Sequence, residues 1–207
     1  MANNYDNAAW FYDKLSRMVF GKAIINAQIY LLQYIPPKSK ILIVGGGTGW
    51  ILDELTGLHP GGLKITYVEI SAKMMAKSVK RNIGANEVTF LNSAIECAFI
   101  PSDFDVVITP FLFDNFSQPT AEKVFAHIDA ALTPGRQWLY ADFEPTGRWW
   151  QQILLKTMHT FFKILCGIEA AELPDVKSLF AQRLYEDVNS KAFFGDLIMA
   201  TVYSRPR

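Results

Sequence analysis

A run of glycines, Gly-Gly-Gly-Thr-Gly at residues 45–49, separates a short apolar segment from a helix-like segment. Glycines at such a point let the chain bend tightly, and they let a ligand lie against the backbone with no side chain in the way. The run does not complete the G-x-G-x-x-G fingerprint of dinucleotide sites, because Trp50 occupies the last glycine position. It also lacks the Gly-Lys-Ser/Thr of a phosphate-binding loop. Alone, the run indicates a ligand-facing bend without naming the ligand.

A carboxylate, Glu69, follows 20 residues beyond Gly49, at the end of the next predicted strand. In a doubly wound sheet the ends of adjacent strands share one crevice. A carboxylate in that crevice can accept hydrogen bonds from both hydroxyls of an adenosine ribose. The alternative is a surface glutamate at a strand end, and the preceding glycine bend makes that alternative less favoured.

The elements that position these residues alternate between strand and helix. The predicted strands are 40–44, 64–70, 87–91, 104–109 and 136–142, and the predicted helices are 50–58, 72–83, 120–132 and 149–166. A shorter helix is expected after Pro174, and residues 185–194 and 197–204 are typical of a hairpin turned at Gly195 and Asp196. We therefore predict the α/β class, with a doubly wound, mostly parallel, seven-stranded sheet, a C-terminal antiparallel hairpin and a helical cap.

The chain carries no linker or internal repeat, so we expect one domain over residues 1–207. Its predicted parts are an N-terminal helical segment (1–35), a cofactor-binding core (40–143), a helical cap (147–181) and the C-terminal hairpin (184–204).

Five segments of this core resemble the motifs of class I S-adenosylmethionine-dependent methyltransferases. In chain order they are ILIVGGGTG (41–49), YVEIS (67–71), FLNSA (90–94), FDVVIT (104–109) and LTPGRQWLYADF (132–143). The resemblance implies a Rossmann-like methyltransferase fold, S-adenosylmethionine as cofactor, and methyl transfer as the activity. YDNAAWFYDKL (5–15) and DFEP (142–145) are further similar to the ubiquinone/menaquinone C-methyltransferase branch.

The same resemblance implies a set of cofactor contacts. The glycines face the methionine moiety, the end of the second strand holds the ribose, and the Ser93 hydroxyl with the Ala94 backbone N–H recognises adenine. The predicted cofactor-binding residues are Gly45, Gly46, Gly47, Gly49, Glu69, Ile70, Ser93, Ala94, Thr109 and Tyr12. Two positions depart from the family pattern, because Ile43 and Ser93 stand where that family often has acidic residues.

The loop that follows the fourth strand is rich in phenylalanine, which suits a small apolar or aromatic acceptor, although packing beneath the cap explains it equally well. Methyl transfer from a sulfonium depends mainly on positioning, so no catalytic triad is required. A hydroxyl acceptor benefits from a general base. Asp114, His159 and Glu144 are candidates for that base, and the sequence does not choose among them.

Composition excludes several classes of partner. Lysines and arginines number 20 against 20 aspartates and glutamates, so the chain lacks the positive field on which nucleic-acid binding relies. No apolar run reaches the ~18 residues of a transmembrane helix, so stable membrane insertion is not expected. Cys97 and Cys166 lack metal-ligand spacing, which predicts reduced thiols, no metal and a cytoplasmic location. A small-molecule substrate is the expected partner, and the oligomeric state stays open.

Two other functions remain open at this point. The departures at Ile43 and Ser93 are compatible with a non-catalytic relative that binds the cofactor or serves as a partner subunit. A nicotinamide-dependent oxidoreductase is less favoured, since the last glycine of its fingerprint is missing. Aminopropyl transfer occurs on the same fold, but the chain lacks the aspartate-rich context of that reaction.

Overall fold

A seven-stranded mixed sheet with helices on both faces forms the centre of the molecule. The computed structural model describes residues 18–166 and 173–207, without the side chains of residues 159 and 161–166. The strands are β1 (Lys40–Val44), β2 (Gly61–Val68), β3 (Ala85–Leu91), β4 (Phe104–Pro110), β5 (Leu132–Phe143), β6 (Glu186–Phe193) and β7 (Ile198–Ser204). The helices are α1 (Ala23–Leu32), α2 (Trp50–Leu58), α3 (Ala72–Ser78), α4 (Gln118–Ala131), α5 (Trp149–Cys166) and α6 (Val176–Gln182). Two short 3₁₀ turns, Ile95–Cys97 and Phe113–Asn115, follow β3 and β4.

The strand order is β3-β2-β1-β4-β5-β7-β6, and β1 to β5 pair in parallel. Strand β7 lies antiparallel between β5 and β6, so the predicted fold class, including the C-terminal hairpin, is confirmed. Strands β2 and β3 lie on one side of β1, and β4 lies on its other side, so the direction in which strands are added reverses at β1. This reversal opens a crevice at the carboxyl ends of β1 and β4, which is where ligands bind in sheets of this type.

Burial on both faces explains why the apolar strand β1 lies at the centre. Ile41 and Ile43 belong to one hydrophobic cluster, together with residues of α1 and α2. Leu42 and Val44 belong to a second cluster, together with residues of α4 and α6. The period of two in a strand sends alternate side chains to opposite faces, so an unbroken apolar run is required there.

The boundaries of β1, α2 and α5 are as predicted, most other elements differ by one or two residues at an end, and α3, β2 and β5 differ by three or more. Helix α3 ends at Ser78 rather than near residue 83, because Asp53 accepts hydrogen bonds from the Asn82 N–H at 2.9 Å and from Arg81 at 3.0 Å. Strand β2 begins at Gly61 rather than at residue 64. Strand β5 begins at Leu132, immediately after α4, with an irregular register before Gln137. None of the helices in the described ranges combines the length and hydropathy of a bilayer span.

Candidate functional site

The bend after β1 lies directly beside the end of β2. Val44 and Val68 are register partners in the parallel pair, so the residues that follow them emerge side by side. The Gly45 N–H donates to the Val68 carbonyl at 2.9 Å, which carries the strand pairing one residue into the bend. Gly46, Gly47 and Gly49 complete the bend, and the Gly49 N–H donates to the Gly46 carbonyl at 3.2 Å.

Glu69 faces this bend and is buried. Its Oε2 accepts the Gly47 N–H at 2.9 Å, and its Oε1 accepts the Ser71 N–H at 2.8 Å. A carboxylate oxygen has two lone-pair directions, so it can accept more than one hydrogen bond. The predicted meeting of Glu69 with the glycine bend is therefore confirmed. Its role towards a ribose stays a prediction.

Tyr67, in β2, also reaches the bend, although it was not among the predicted site residues. Its ring is fully buried, and its hydroxyl donates to the Gly47 carbonyl at 3.1 Å. A Cβ built on Gly46 would overlap the Tyr67 ring and hydroxyl. The only sequence signal is the alternation along β2, which places Tyr67 and Glu69 on the same side of the strand.

The turn after β3 brings Ser93 and Ala94 towards Ile70 in the turn after β2. Asn92 joins the two turns, because its side-chain amide donates to the Glu69 carbonyl at 2.8 Å and to the Ile70 carbonyl at 3.1 Å. The Ser93 hydroxyl donates to the Ala94 carbonyl at 3.0 Å. Ile70, Ser93 and Ala94 are all half-buried and therefore accessible from one side. Asn92 therefore joins the turn that carries Ser93 and Ala94 to the backbone of Glu69 and Ile70, and the contacts of these residues with adenine stay predictions.

Thr109 does not offer its side chain to this crevice. It is fully buried, and its hydroxyl accepts the indole N–H of Trp138 at 2.8 Å. Trp138 belongs to the hydrophobic cluster beneath α4 and α6. The Thr109 side chain therefore belongs to the core, and its predicted contact with the cofactor stays a prediction that only its backbone can fulfil.

The loop after β4 reaches the glycine bend. A Cβ built on Gly45 would lie 3.0 Å from the Leu112 Cδ1, so Leu112 packs directly on the first glycine. Phe111 turns the chain into this loop with a φ of +52°, after its N–H donates to the Ala141 carbonyl at 2.7 Å. A positive φ in a bulky residue costs about 1–3 kcal/mol, and such strain concentrates at functional sites.

Two side chains hold this loop in place. The Asn115 amide donates to the Phe111 carbonyl at 3.1 Å and to the Leu112 carbonyl at 3.0 Å. Asp142, at the end of β5, accepts the Phe113 N–H at 3.0 Å and the Phe143 N–H at 2.8 Å. The loop is thus preorganised by hydrogen bonds from both of its ends.

The carboxylates near this loop titrate abnormally. Burial raises the pKa of Asp142 to about 7, against the opposing effect of its backbone hydrogen bonds. Burial also raises the pKa of Asp114 well above its ordinary range, and the neighbouring Asp142 raises it further. Burial raises the pKa of Glu144, and an ion pair with Lys177 at 2.5 Å opposes that shift. Raised values of this kind are typical of groups that exchange protons near neutral pH.

The remaining candidates are Tyr12 and His159. Tyr12 and the side chain of His159 lie outside the described residues. The described part of the chain holds no cluster of three or more His, Cys, Asp or Glu side chains suited to a metal ion.

The arrangement fits the adenosyl group of S-adenosylmethionine. A Cβ added at Gly47 would meet only the Met74 sulfur within 4 Å, at 3.9 Å, so the described side chains leave room beside this backbone. Glu69 supplies acceptors next to that space, and the turns at Ile70 and Ala94 border it. A bare backbone beside a carboxylate suits a ribose and its thioether-linked chain.

Comparisons with known proteins agree with this geometry. Residues 41–135 match the family model described as "Methyltransferase domain". The sequence has no match among curated proteins. The match covers just under half of the chain and describes a methyltransferase domain, which is the class of domain that the geometry of the site also fits.

Solved structures of low sequence identity share the fold. The mitomycin 7-O-methyltransferase MmcR is 16% identical, with a TM-score of 0.69. The alignment covers 94% of this chain and 57% of MmcR, so this chain spans just over half of the length of MmcR. A SAM-dependent methyltransferase from Aquifex aeolicus is 15% identical, with a TM-score of 0.61. The alignment covers 95% of this chain and 98% of that one. The Burkholderia thailandensis 1,6-didemethyltoxoflavin-N1-methyltransferase is 14% identical, with a TM-score of 0.64. The alignment covers 100% of this chain and 92% of that one. Its structure contains bound 1,6-didemethyltoxoflavin and S-adenosylhomocysteine.

Proposed function

We propose that this protein transfers the methyl group of S-adenosylmethionine to a small apolar or aromatic acceptor. The observation that carries the proposal is the contact between Glu69, at the end of β2, and Gly47, in the bend after β1. Sequence positions 22 residues apart meet there and present a carboxylate beside an open backbone.

The residues of the bend would bind and orient the cofactor. Glu69 would accept hydrogen bonds from the two ribose hydroxyls, while its bonds to the Gly47 and Ser71 N–H groups keep the carboxylate in place. The backbone at Gly45 and Gly47 would lie along the methionine moiety. The bound cofactor supplies an electrophilic methyl group, so the remaining task of the protein is to align the acceptor and exclude water.

The loop after β4 would border the acceptor. Leu112 touches Gly45, and the neighbouring Phe111 ring lies 5.2 Å from the Phe143 ring, which lies 5.2 Å from the Phe20 ring. These aromatic side chains are buried in one hydrophobic cluster beside the loop, and an apolar or aromatic acceptor is the kind of molecule that would pack next to it. Methyltransferases of this fold act on oxygen in MmcR and on nitrogen in the toxoflavin enzyme, so the acceptor atom stays open. The family model and the structures compared above do not support the ubiquinone/menaquinone branch.

Asp114 is the general base that we favour for a hydroxyl acceptor. It is two residues from Leu112 in the loop that contacts the bend, whereas Glu144 is paired with Lys177. The raised pKa of Asp114 makes its ionised carboxylate a stronger base towards an acceptor hydroxyl than an ordinary aspartate is.

Calorimetry with S-adenosylhomocysteine tests the cofactor site through Glu69→Gln. We expect the neutral amide to weaken binding by about 10- to 100-fold, since two charge-assisted hydrogen bonds lose their charge. The matched control is Glu96→Gln, which removes an exposed carboxylate on the 3₁₀ turn after β3 and should leave affinity unchanged. Absence of heat with the unaltered protein would remove the basis of the proposal.

A further inference from the structure

Both polar groups of the Gly47 backbone form hydrogen bonds with side chains at the carboxyl end of β2, one in the strand and one directly after it. The Gly47 N–H donates to Glu69 at 2.9 Å, and the Gly47 carbonyl accepts the Tyr67 hydroxyl at 3.1 Å. The two side chains are two residues apart and therefore approach the bend from the same side. The Gly47 peptide groups are therefore fixed by hydrogen bonds at both the N–H and the carbonyl.

The Tyr67 ring also explains the glycine at position 46. Gly46 does not have a positive φ, so no left-handed backbone conformation requires a glycine at this position. Its missing side chain is required instead by the Tyr67 ring and hydroxyl, which occupy the space that a Cβ would take. Gly46 and Tyr67 therefore form a complementary pair, in which the small residue admits the large one beneath the bend.

The ring itself has little freedom to move. Tyr67 is fully buried, and its ring packs at 5.6 Å from the Phe90 ring of the neighbouring strand β3. A side chain confined in this way fixes the position of its hydroxyl. The hydroxyl in turn fixes the direction of the Gly47 carbonyl.

We propose that Tyr67 is a positioning residue, which sets the Gly47 peptide for recognition of the methionine part of S-adenosylmethionine. The inference rests on the proposed function, and it assigns the two halves of the cofactor to different residues. Glu69 serves the ribose and keeps its second anchor at the Ser71 N–H, so the adenosine half remains held when Tyr67 is altered. The bend that Tyr67 supports serves the amino-acid half.

The experiment compares two ligands on Tyr67→Phe, which removes only the hydroxyl. S-adenosylhomocysteine carries the amino-acid part, and 5′-methylthioadenosine lacks it. We expect affinity for S-adenosylhomocysteine to fall by about 3- to 10-fold, the effect of one neutral hydrogen bond, and affinity for 5′-methylthioadenosine to change by less than about 2-fold. Tyr34→Phe is the matched control, because its hydroxyl bonds Tyr30 on α1, away from the bend.

A second pair of variants keeps the test decisive if Tyr67→Phe folds poorly. Gly46→Ala alone should abolish binding of S-adenosylhomocysteine or prevent folding, whereas Gly46→Ala combined with Tyr67→Leu should restore folding, because the leucine vacates the overlapping space. Failure of the double variant to recover would contradict the complementary pair.

The outcomes separate the inference from the proposed function. An equal loss of affinity for both ligands, or no loss for either, overturns the role of Tyr67 while the methyltransferase proposal stands. If the unaltered protein binds neither ligand, the proposed function itself fails.

Discussion

The buried carboxylate of Asp142 holds the loop after β4 by hydrogen bonds, and its removal from water opposes its ionisation. It receives two backbone N–H groups, from Phe113 and Phe143, and these bonds fix the loop that packs on Gly45. The same burial removes the carboxylate from water, which disfavours its charged form. The pKa of about 7 is the balance of these two effects.

This balance predicts how stability changes with pH. The pKa of Asp142 is higher in the folded protein than in the unfolded chain, so the folded state binds more protons between about pH 4 and pH 7. The stabilisation is fully present below the unfolded pKa and is lost as pH rises through 7. Urea unfolding should therefore show a free energy of unfolding that falls over this range, and Asp142→Asn should reduce the slope by at most about 1.4 kcal/mol per pH unit.

Asp103→Asn is the comparison for that measurement, because Asp103 is an exposed partner of Lys40. Asp114 and Glu144 shift in the same direction as Asp142, so part of the slope should survive in the Asp142 variant. A slope that is identical in Asp142→Asn and the unaltered protein would contradict the assignment.

At the scale of elements, the close approach of α3 to the start of α2 shapes the bend. Gly49 begins α2 with a φ of +79°, and a Cβ there would lie 2.5 Å from the Ser78 Cβ and 2.7 Å from its Cα. Arg81 extends the same contact, since its Nε donates to the Thr48 carbonyl at 2.9 Å and it pairs with Asp53 at 3.0 Å. Gly49 thus serves the packing of the helix after the bend, in addition to any contact with a ligand.

Two alanine substitutions in this region should act in opposite directions. Gly49→Ala should lower the free energy of unfolding by about 2–4 kcal/mol, because the new methyl group overlaps Ser78 and the backbone is left-handed. Gly57→Ala, in the same helix, meets nothing within 4 Å and should raise it by about 0.5–1 kcal/mol. Chemical denaturation measures both, and equal effects of the two substitutions would show that the helix contact does not determine the requirement for glycine.

At the scale of the whole molecule, the sheet order places the site where the chain changes direction. Strands β2 and β3 lie to one side of β1, and β4, β5 and the hairpin lie to the other. The hairpin is tied back to α4 by Asp129, which accepts the Tyr185 hydroxyl at 2.8 Å and pairs with Arg183 at 3.3 Å. The crevice is therefore supported on both sides by the full width of the sheet.

Ligand binding to such a crevice should stabilise the entire fold. S-adenosylhomocysteine at 100 times its dissociation constant adds about 2.7 kcal/mol, which corresponds to a rise in Tm of roughly 5–11 °C for a chain of this size. NAD and NADP should leave Tm unchanged, since Trp50 replaces the last glycine of their fingerprint. Thermal scans with each ligand check this, and a rise with NAD alone would favour the oxidoreductase hypothesis instead.

Local sequence patterns were sufficient to predict the limits of several strands and helices. The apolar run of β1, bounded by Lys40 and the glycines, and the helices α2 and α5 have the predicted limits, because strong turn signals border them. The sequence also brought Glu69 to the bend correctly, since parallel register follows from strand order. It did not indicate where α3 ends, because that end depends on Asp53, which lies 29 residues before Asn82.

By itself, the sequence determined the order of the elements and the residues that stand at the strand ends. Only the tertiary structure decided which of those side chains face the crevice: Thr109 turns to Trp138 in the core, whereas Tyr67 reaches Gly47 from below and Asp142 reaches the loop at Phe113. The physical reason is that spacing along a strand specifies a face, but the hydrogen-bond partner on that face comes from 20 or 29 residues away along the chain. Such partners are selected by packing of the complete sheet, which no local window of residues contains.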